Sequence, residues 1–300
     1  MEAAALGRRK RKLIPVFDRF VGVDWSGAAG TGYSGVAVAE CRTGGDAPVL
    51  VHPSARRWRR ADFADWVAAQ ADLRERVLVG IDCAFALPAA MVHPILGEAY
   101  SAAGLWAYID GFCGDAGDFY GGDFAENAVV ARSFWREGKR PEGFAELHRA
   151  TEQACRAAGL GSPESPLKLV GARQVGKGGL AGMRVLHALK QRLGDRFAVW
   201  PFDPADKARV VCVELYPRLF MKIAGHGNRK VRSLEALNAC FKALGTSDYA
   251  GSVDSSSDHE TDALVAAAGL RFIAGERAVW SPGGLDSLGR RAECWIFGVT

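Results

Sequence analysis

Short apolar runs punctuate this chain, separated by stretches in which apolar residues recur at helical spacing. The first run, Arg19-Phe-Val-Gly-Val-Asp24, is rich in β-branched and aromatic residues and predicts a buried strand. A glycine-rich turn, Trp25-Ser-Gly-Ala-Ala-Gly-Thr-Gly32, leads into a second strand at residues 33–40, so the two predict a hairpin. Residues 49–52 predict a third strand. Phe63, Trp66, Val67, Ala71 and Leu73 then fall near helical spacing across residues 61–73. A fully apolar strand at 77–82 ends in Asp82 and is followed by the loop Cys83-Ala-Phe-Ala-Leu-Pro88. A helix crossing before a fully apolar strand makes that strand parallel to one already placed. The expected fold is α/β, a mixed sheet flanked by helices.

Residues 91–193 carry no strong strand pattern and predict a largely helical insertion over one end of the sheet, with helices at 142–158 and 180–193. Strand character returns at 197–200 and 208–214. Helices are predicted at 233–244 and, alanine-rich, at 261–273, the latter capped by Ser257 or Asp258. Residues 293–297 predict a closing strand. The pattern gives one domain over 19–300 behind a basic tail at 1–18.

Charge sharpens this picture. Lys and Arg number 38 against 34 Asp and Glu. Five of the cations (Arg8, Arg9, Lys10, Arg11 and Lys12) and one acid, Glu2, lie in the first fifteen residues, so the remainder balances at 33 against 33. The net basicity is a tail, which argues against a basic nucleic-acid coat protein. Residues 98–126 hold six acids and no Lys or Arg. Such an acidic insertion repels phosphate and favours a short substrate. Within it, Asp115, Asp118 and Asp123 miss calcium-loop spacing and read as a solvated face. No apolar stretch reaches the ~20 residues of a membrane span, and no apolar segment follows Met1 as a secretory signal would require. The seven cysteines are scattered without a Cys-x-x-Cys pair, which points to buried thiols in a reducing, cytoplasmic setting.

Three apolar strands end in an acid: Asp24, Asp82 and Glu214. A fourth acid, Asp262, lies in the first turn of a helix, three residues after His259. Ligands of open α/β sheets bind beyond the carboxyl ends of strands. Several carboxylates meeting there repel each other and demand cations, and an all-oxygen set suits Mg²⁺ or Mn²⁺. Taken singly, each acid also fits a local job, such as a turn, a cap or a helix-dipole partner.

Four blocks, Val21-Gly-Val-Asp-Trp-Ser-Gly27, Gly80-Ile-Asp-Cys-Ala-Phe-Ala-Leu-Pro88, Val213-Glu-Leu-Tyr-Pro-Arg218 and His259-Glu-Thr-Asp-Ala-Leu264, occur in this order. They resemble the signature blocks of domain of unknown function 429, a family of predicted nucleases with a ribonuclease-H-like fold. The resemblance spans residues 20–297 and takes in a middle block, Leu169-Val-Gly-Ala-Arg-Gln-Val-Gly-Lys-Gly-Gly-Leu-Ala-Gly-Met183. It implies a ribonuclease-H-like mixed sheet, with Asp24 as the bridging metal ligand and Asp82 as the ligand on the adjacent parallel strand. His259 and Asp262 look like the His-x-x-Asp pair at the last helix of Holliday-junction resolvases, which share that fold. The implied roles put Asp24, Asp82 and Asp262 on the metals, with Glu214 or His259 orienting the attacking water.

Other motifs are weaker. Gly171-Ala-Arg-Gln-Val-Gly-Lys177 opens like a P-loop, but Gly178 stands where Ser or Thr must hold Mg²⁺. Arg173 and Lys177 remain candidate phosphate contacts in a glycine loop, with Ser26 in the turn after the first strand and Arg218 after the last block. Arg149 and Glu152, at i and i+3 on a predicted helix, either project into the site or form a surface pair. Arg56, Arg57, Arg59 and Arg60 surround Trp58 and read as a solvated run that could meet phosphate. The leading expectation is a metal-dependent phosphodiesterase with nucleic acid or nucleotide as partner. The alternatives are a non-catalytic binding module on the same fold and an actin-like small-molecule phosphotransferase.

Overall fold

The computed structural model describes residues 14–30, 32–142, 144–171 and 175–300. The basic run at 8–12 and Arg173 lie outside the described residues. The apolar runs become strands β1 (Arg19–Asp24), β2 (Ala37–Arg42), β3 (Val49–Val51), β4 (Val77–Ile81), β5 (Phe197–Val199) and β6 (Val210–Glu214). They form a six-stranded mixed sheet in the order β3-β2-β1-β4-β6-β5. β2 is antiparallel to both β1 and β3, whereas β1, β4, β6 and β5 pair in parallel.

Period-2 alternation divides the sheet between two cores. Val21, Val23, Val79 and Ile81 face helices α1 (Arg60–Gln70) and α5 (Gly176–Leu193). Phe20, Leu78, Val211 and Val213 face α6 (Pro217–Ile223), α7 (Leu234–Ala243) and α8 (His259–Ile273). Between β4 and α5 the chain forms α2 (Ala89–Leu96), α3 (Ala102–Phe112), short 3₁₀ turns and α4 (Ala150–Ala157). No helix among the described residues is long and apolar enough to cross a membrane. All seven cysteines are free and buried.

Several expected boundaries shift. The second strand begins at Ala37, because the Tyr33 N–H donates to the Trp58 carbonyl (2.9 Å) in an isolated bridge. The helix expected from residue 142 begins at Ala150, because Arg149 is extended (φ −72°, ψ 163°) and its side chain is drawn into the core. The insertion ends before α5, whose Leu180, Met183 and Leu186 share the core of β1. The tail is shorter than expected, since Phe17 is buried and stacks on Trp280. Residues 293–297 form no strand. Gly289–Glu293 winds as a π-helical turn, Cys294 takes a positive φ (67°), and only Ile296 bridges Glu214. The run is apolar because Trp295, Ile296 and Phe297 are buried by packing rather than by a ladder.

Helix α8 lies unusually close to β1. A Cβ on Gly22 would sit 2.4 Å from the Ala263 carbonyl oxygen and 2.4 Å from the Ala267 nitrogen. Glycine is therefore required by the approach of the helix backbone, and alanines at 263, 266 and 267 supply the matching thin face. Gly22→Ala should destabilise the protein by about 1–3 kcal/mol through overpacking. A urea midpoint equal to wild type would contradict the close approach.

Candidate active site

The register of the parallel strands decides which acids meet. Val23 pairs with Ile81, so Asp24 and Asp82 stand level at the ends of neighbouring strands. The Asp82 N–H donates to the Val23 carbonyl (2.9 Å), which extends the ladder to that level. Both follow residues that face α1 and α5, so alternation turns them toward α8. Glu214 pairs with Ile81 rather than with Asp82. It is one residue short, and that single step points it to the opposite face.

Helix α8 completes the open group. His259, its first residue, places Nδ1 2.5 Å from Asp24 Oδ2. Asp262, one turn on, is buried, and its Oδ1 has no hydrogen-bond partner. Asp258 precedes the helix and pairs with Lys230, whose Nζ is also 3.9 Å from Asp262. Arg232 lies 3.5 Å from Asp258. These groups open onto a cleft of about 790 Å³, which Arg156, Tyr216, Arg218 and Lys222 also line. Acids thus come from the ends of β1 and β4 and from the start of α8, and cations from α4, α6 and the segment after α6 that carries Lys230.

Burial and mutual repulsion set the protonation of the acids. Burial pushes Asp82 well above the usual carboxylate range, and the charges of Asp24 and Asp262 add to this. Burial also raises Asp24, against the hydrogen bond and charge of His259. Asp262 is raised to about 7 by burial and by the charge of Asp24. The hydrogen bond to Asp24 holds His259 above the ordinary imidazole value. Among the described residues, no three His, Cys, Asp or Glu side chains are gathered as a ready-made metal centre. The donor set nevertheless fits a hard divalent cation in kind, since it is all oxygen, electrostatically frustrated and carries an orphaned buried carboxylate oxygen.

Glu214 belongs to a second, internally paired system. Arg149 is 1% exposed and donates through Nη2 to Glu214 Oε1 (2.5 Å) and through Nη1 to Glu214 Oε2 (2.9 Å). Its Nε donates to Glu152 Oε1 (2.9 Å), and its Nη1 to the Glu293 carbonyl (3.0 Å). The Phe85 N–H donates to Glu214 Oε2 (2.9 Å), which pins the loop leaving Asp82. Burial disfavours the charged guanidinium, but Glu152 and Glu214 outweigh it and hold Arg149 above its ordinary value. Arg149 is therefore a buried structural cation, neither a phosphate contact nor half of a surface pair. Glu214 has both oxygens engaged by Arg149 and the Phe85 N–H, and with Arg149 and Glu152 it lines a smaller pocket that Asp82 and Trp25 share with the main cleft.

The remaining candidates separate. Arg218 lines the cleft and donates to the Asn228 carbonyl. Ser26 turns back to accept from the Ala28 N–H (3.3 Å). Lys177, the second residue of α5, has its backbone packed where a Gly27 Cβ would stand, 2.1 Å from its carbonyl carbon. The glycine turn after β1 is thus filled by α5 at Gly27. Asp118 accepts from the Arg60 and Ala61 N–H groups (3.1 and 2.8 Å) and caps α1 from a distant segment. Sequence reasoning missed Lys230 and Arg156, which sit in polar stretches without motif spacing, and did not single out Tyr216 within the block at 213–218.

Asp262 binds its proton more tightly folded than unfolded. Between about pH 4 and pH 7 the folded state therefore holds more protons, and stability falls as pH rises. In metal-free buffer, Asp262→Asn should gain on wild type across that window, reaching about 1–4 kcal/mol at alkaline pH, and match it at the acid end. Urea midpoints against pH check this, and parallel curves would contradict it. Comparisons with protein-family models, with curated proteins and with solved structures find no match to this chain.

Proposed function

We propose that this protein is a divalent-metal-dependent phosphodiesterase acting on nucleic acid, built on a ribonuclease-H-like fold. The observation that carries the reading is the convergence of Asp24, Asp82 and Asp262 on one cleft that also presents Arg156, Arg218 and Lys222. Carboxylates alone would serve a cation, and arginines alone an anion. Both together suit a phosphate brought to a bound metal. The fold half of the reading is supported by the mixed sheet, by Asp24 and Asp82 on adjacent parallel strands, and by His259 and Asp262 opening the last long helix. These are the placements the family resemblance implies.

Asp24, Asp82 and Asp262 would hold Mg²⁺ or Mn²⁺, which supplies charge neutralisation at the scissile phosphate when bound. The chain's own groups do the rest. Arg218 and Arg156 bind and orient non-bridging phosphate oxygens. His259 keeps a proton on Nδ1 against Asp24, which leaves Nε2 to exchange a proton with the attacking water or the leaving oxygen. Lys230 offsets the negative charge of Asp258 and Asp262. Glu214 and Arg149 position the loop that carries Asp82 and do not activate water.

Calorimetric titration of Mn²⁺ into wild type and Asp24→Asn tests the reading, paired with Mn²⁺-dependent cleavage of labelled RNA and DNA strands. Wild type should bind Mn²⁺ and cleave. Asp24→Asn should bind at least ~10-fold more weakly and lose cleavage. Equal Mn²⁺ binding by both proteins would overturn the site, and metal binding without turnover of either strand would favour a non-catalytic module.

A further inference from the structure

The loop at 52–59 joins β3 to α1 and carries Arg56, Arg57 and Arg59, all exposed. Among the described residues none of the three has an acidic partner in an ion pair. The loop is nonetheless held firmly. Trp58 is buried and donates from Nε1 to the Val51 carbonyl (3.3 Å). Arg60, the fourth arginine of the run, is buried, stacks 4.1 Å from the Tyr33 ring centre and donates to the Ala28 carbonyl (2.5 Å). Three guanidinium groups are thus presented to solvent on a fixed base, with the aromatic residue between them turned inward.

Strand register fixes where this base lies. Val51 pairs with Val38, and Val38 with Val23, so the chain leaves β3 at the same sheet edge as Asp24. β3 is two strands from β1 on one side, and β6, which leads into Arg218 and Lys222, is two strands away on the other. At ~4.8 Å per strand the two cationic groups lie about 10 Å to either side of Asp24, with Asp82 between Asp24 and β6. The surface between them is continuous. Arg56 and Arg57 share a depression with Ser34 and Glu260, which share another with Asp258 and His259, which line the main cleft. Arg232 and the acids Asp254 and Glu260 also line this track.

We propose that Arg56, Arg57 and Arg59 form a nucleic-acid backbone site, so that the substrate is an extended strand lying across the sheet edge with the carboxylate centre beneath its middle. The cationic groups span roughly 20 Å, which at the ~3.4 Å axial rise of a stacked strand covers about six phosphates, and fewer where the strand is stretched. Trp58 is turned inward, so the loop reads charge and not sequence. The substrate is then polymeric and gripped on both sides of the scissile bond, which runs against the short substrate suggested by the acidic insertion. The inference rests on the phosphodiesterase reading only for the identity of the centre that the strand crosses.

The test is the salt dependence of binding, in metal-free buffer, of end-labelled single strands of about 4 and about 16 nucleotides to wild type and to Arg56→Gln/Arg57→Gln/Arg59→Gln, with ~0.7 of slope expected per phosphate neutralised. The longer strand should bind wild type more tightly, and the variant should lose about 2 from its log–log salt slope while keeping its urea midpoint. An unchanged slope, equal affinity for both lengths, or equal affinity for polyglutamate would overturn the proposal. Hydrolysis of bis(4-nitrophenyl) phosphate with Mn²⁺ separates the two readings, because that diester is too short to reach the loop. If the variant keeps this hydrolysis but loses slope, both readings stand. If wild type lacks the hydrolysis and the slope still falls, the catalytic reading fails and the strand site stands.

Discussion

Everything at the site depends on how closely α8 can lie on β1. The absence of a side chain at Gly22 and the alanines of α8 let the two backbones approach within a distance that a single methyl group would block. That approach carries the helix start to the end of the strand. His259 meets Asp24, and Asp262 comes within electrostatic reach of Asp24 and Asp82. A bulkier seam would leave the same acids in the sequence and separate them in space. Packing here is the cause of the chemistry.

The sheet then sorts its charges into two systems by a one-residue difference in register. Asp24 and Asp82 are level and face α8, where they open onto a cleft. Glu214 is one step short and faces the other core, where Arg149 and the Phe85 N–H satisfy it. This second system shares one guanidinium between two buried carboxylates, every oxygen of which accepts a hydrogen bond, and it braces the loop after β4. The open system is unbalanced, with carboxylates driven upward by burial and by each other and with an unpartnered oxygen on Asp262. An unbalanced buried group of this kind persists only where something else offsets its cost, and that is the physical case for a cation at this edge.

Much of this was legible in the sequence because the central strands are uniform apolar runs that end in acids. Their position, their helical flanks and the parallel direction of β4 relative to an earlier strand follow from such patterns; that β1 is its neighbour was only an implication of the family resemblance. The face of Glu214 was not legible, since it turns on an offset between β4 and β6 that neither strand encodes alone. Nor was the role of Arg149, whose partner Glu214 is 65 residues away and overrides the helix expected around it. Asp118 looked like one more acid on a solvated face and in fact caps α1. The closing strand was misread because buried apolar alternation can serve packing against several elements as well as a ladder.

The most direct measurement is anomalous scattering from crystals grown with Mn²⁺ and a phosphate-bearing strand. The account predicts a peak about 2.1 Å from carboxylate oxygens of Asp24 and Asp82, with Asp262 turned toward it. Mn²⁺ held elsewhere, or a strand bound across this edge with no ion between Asp24 and Asp82, would contradict it.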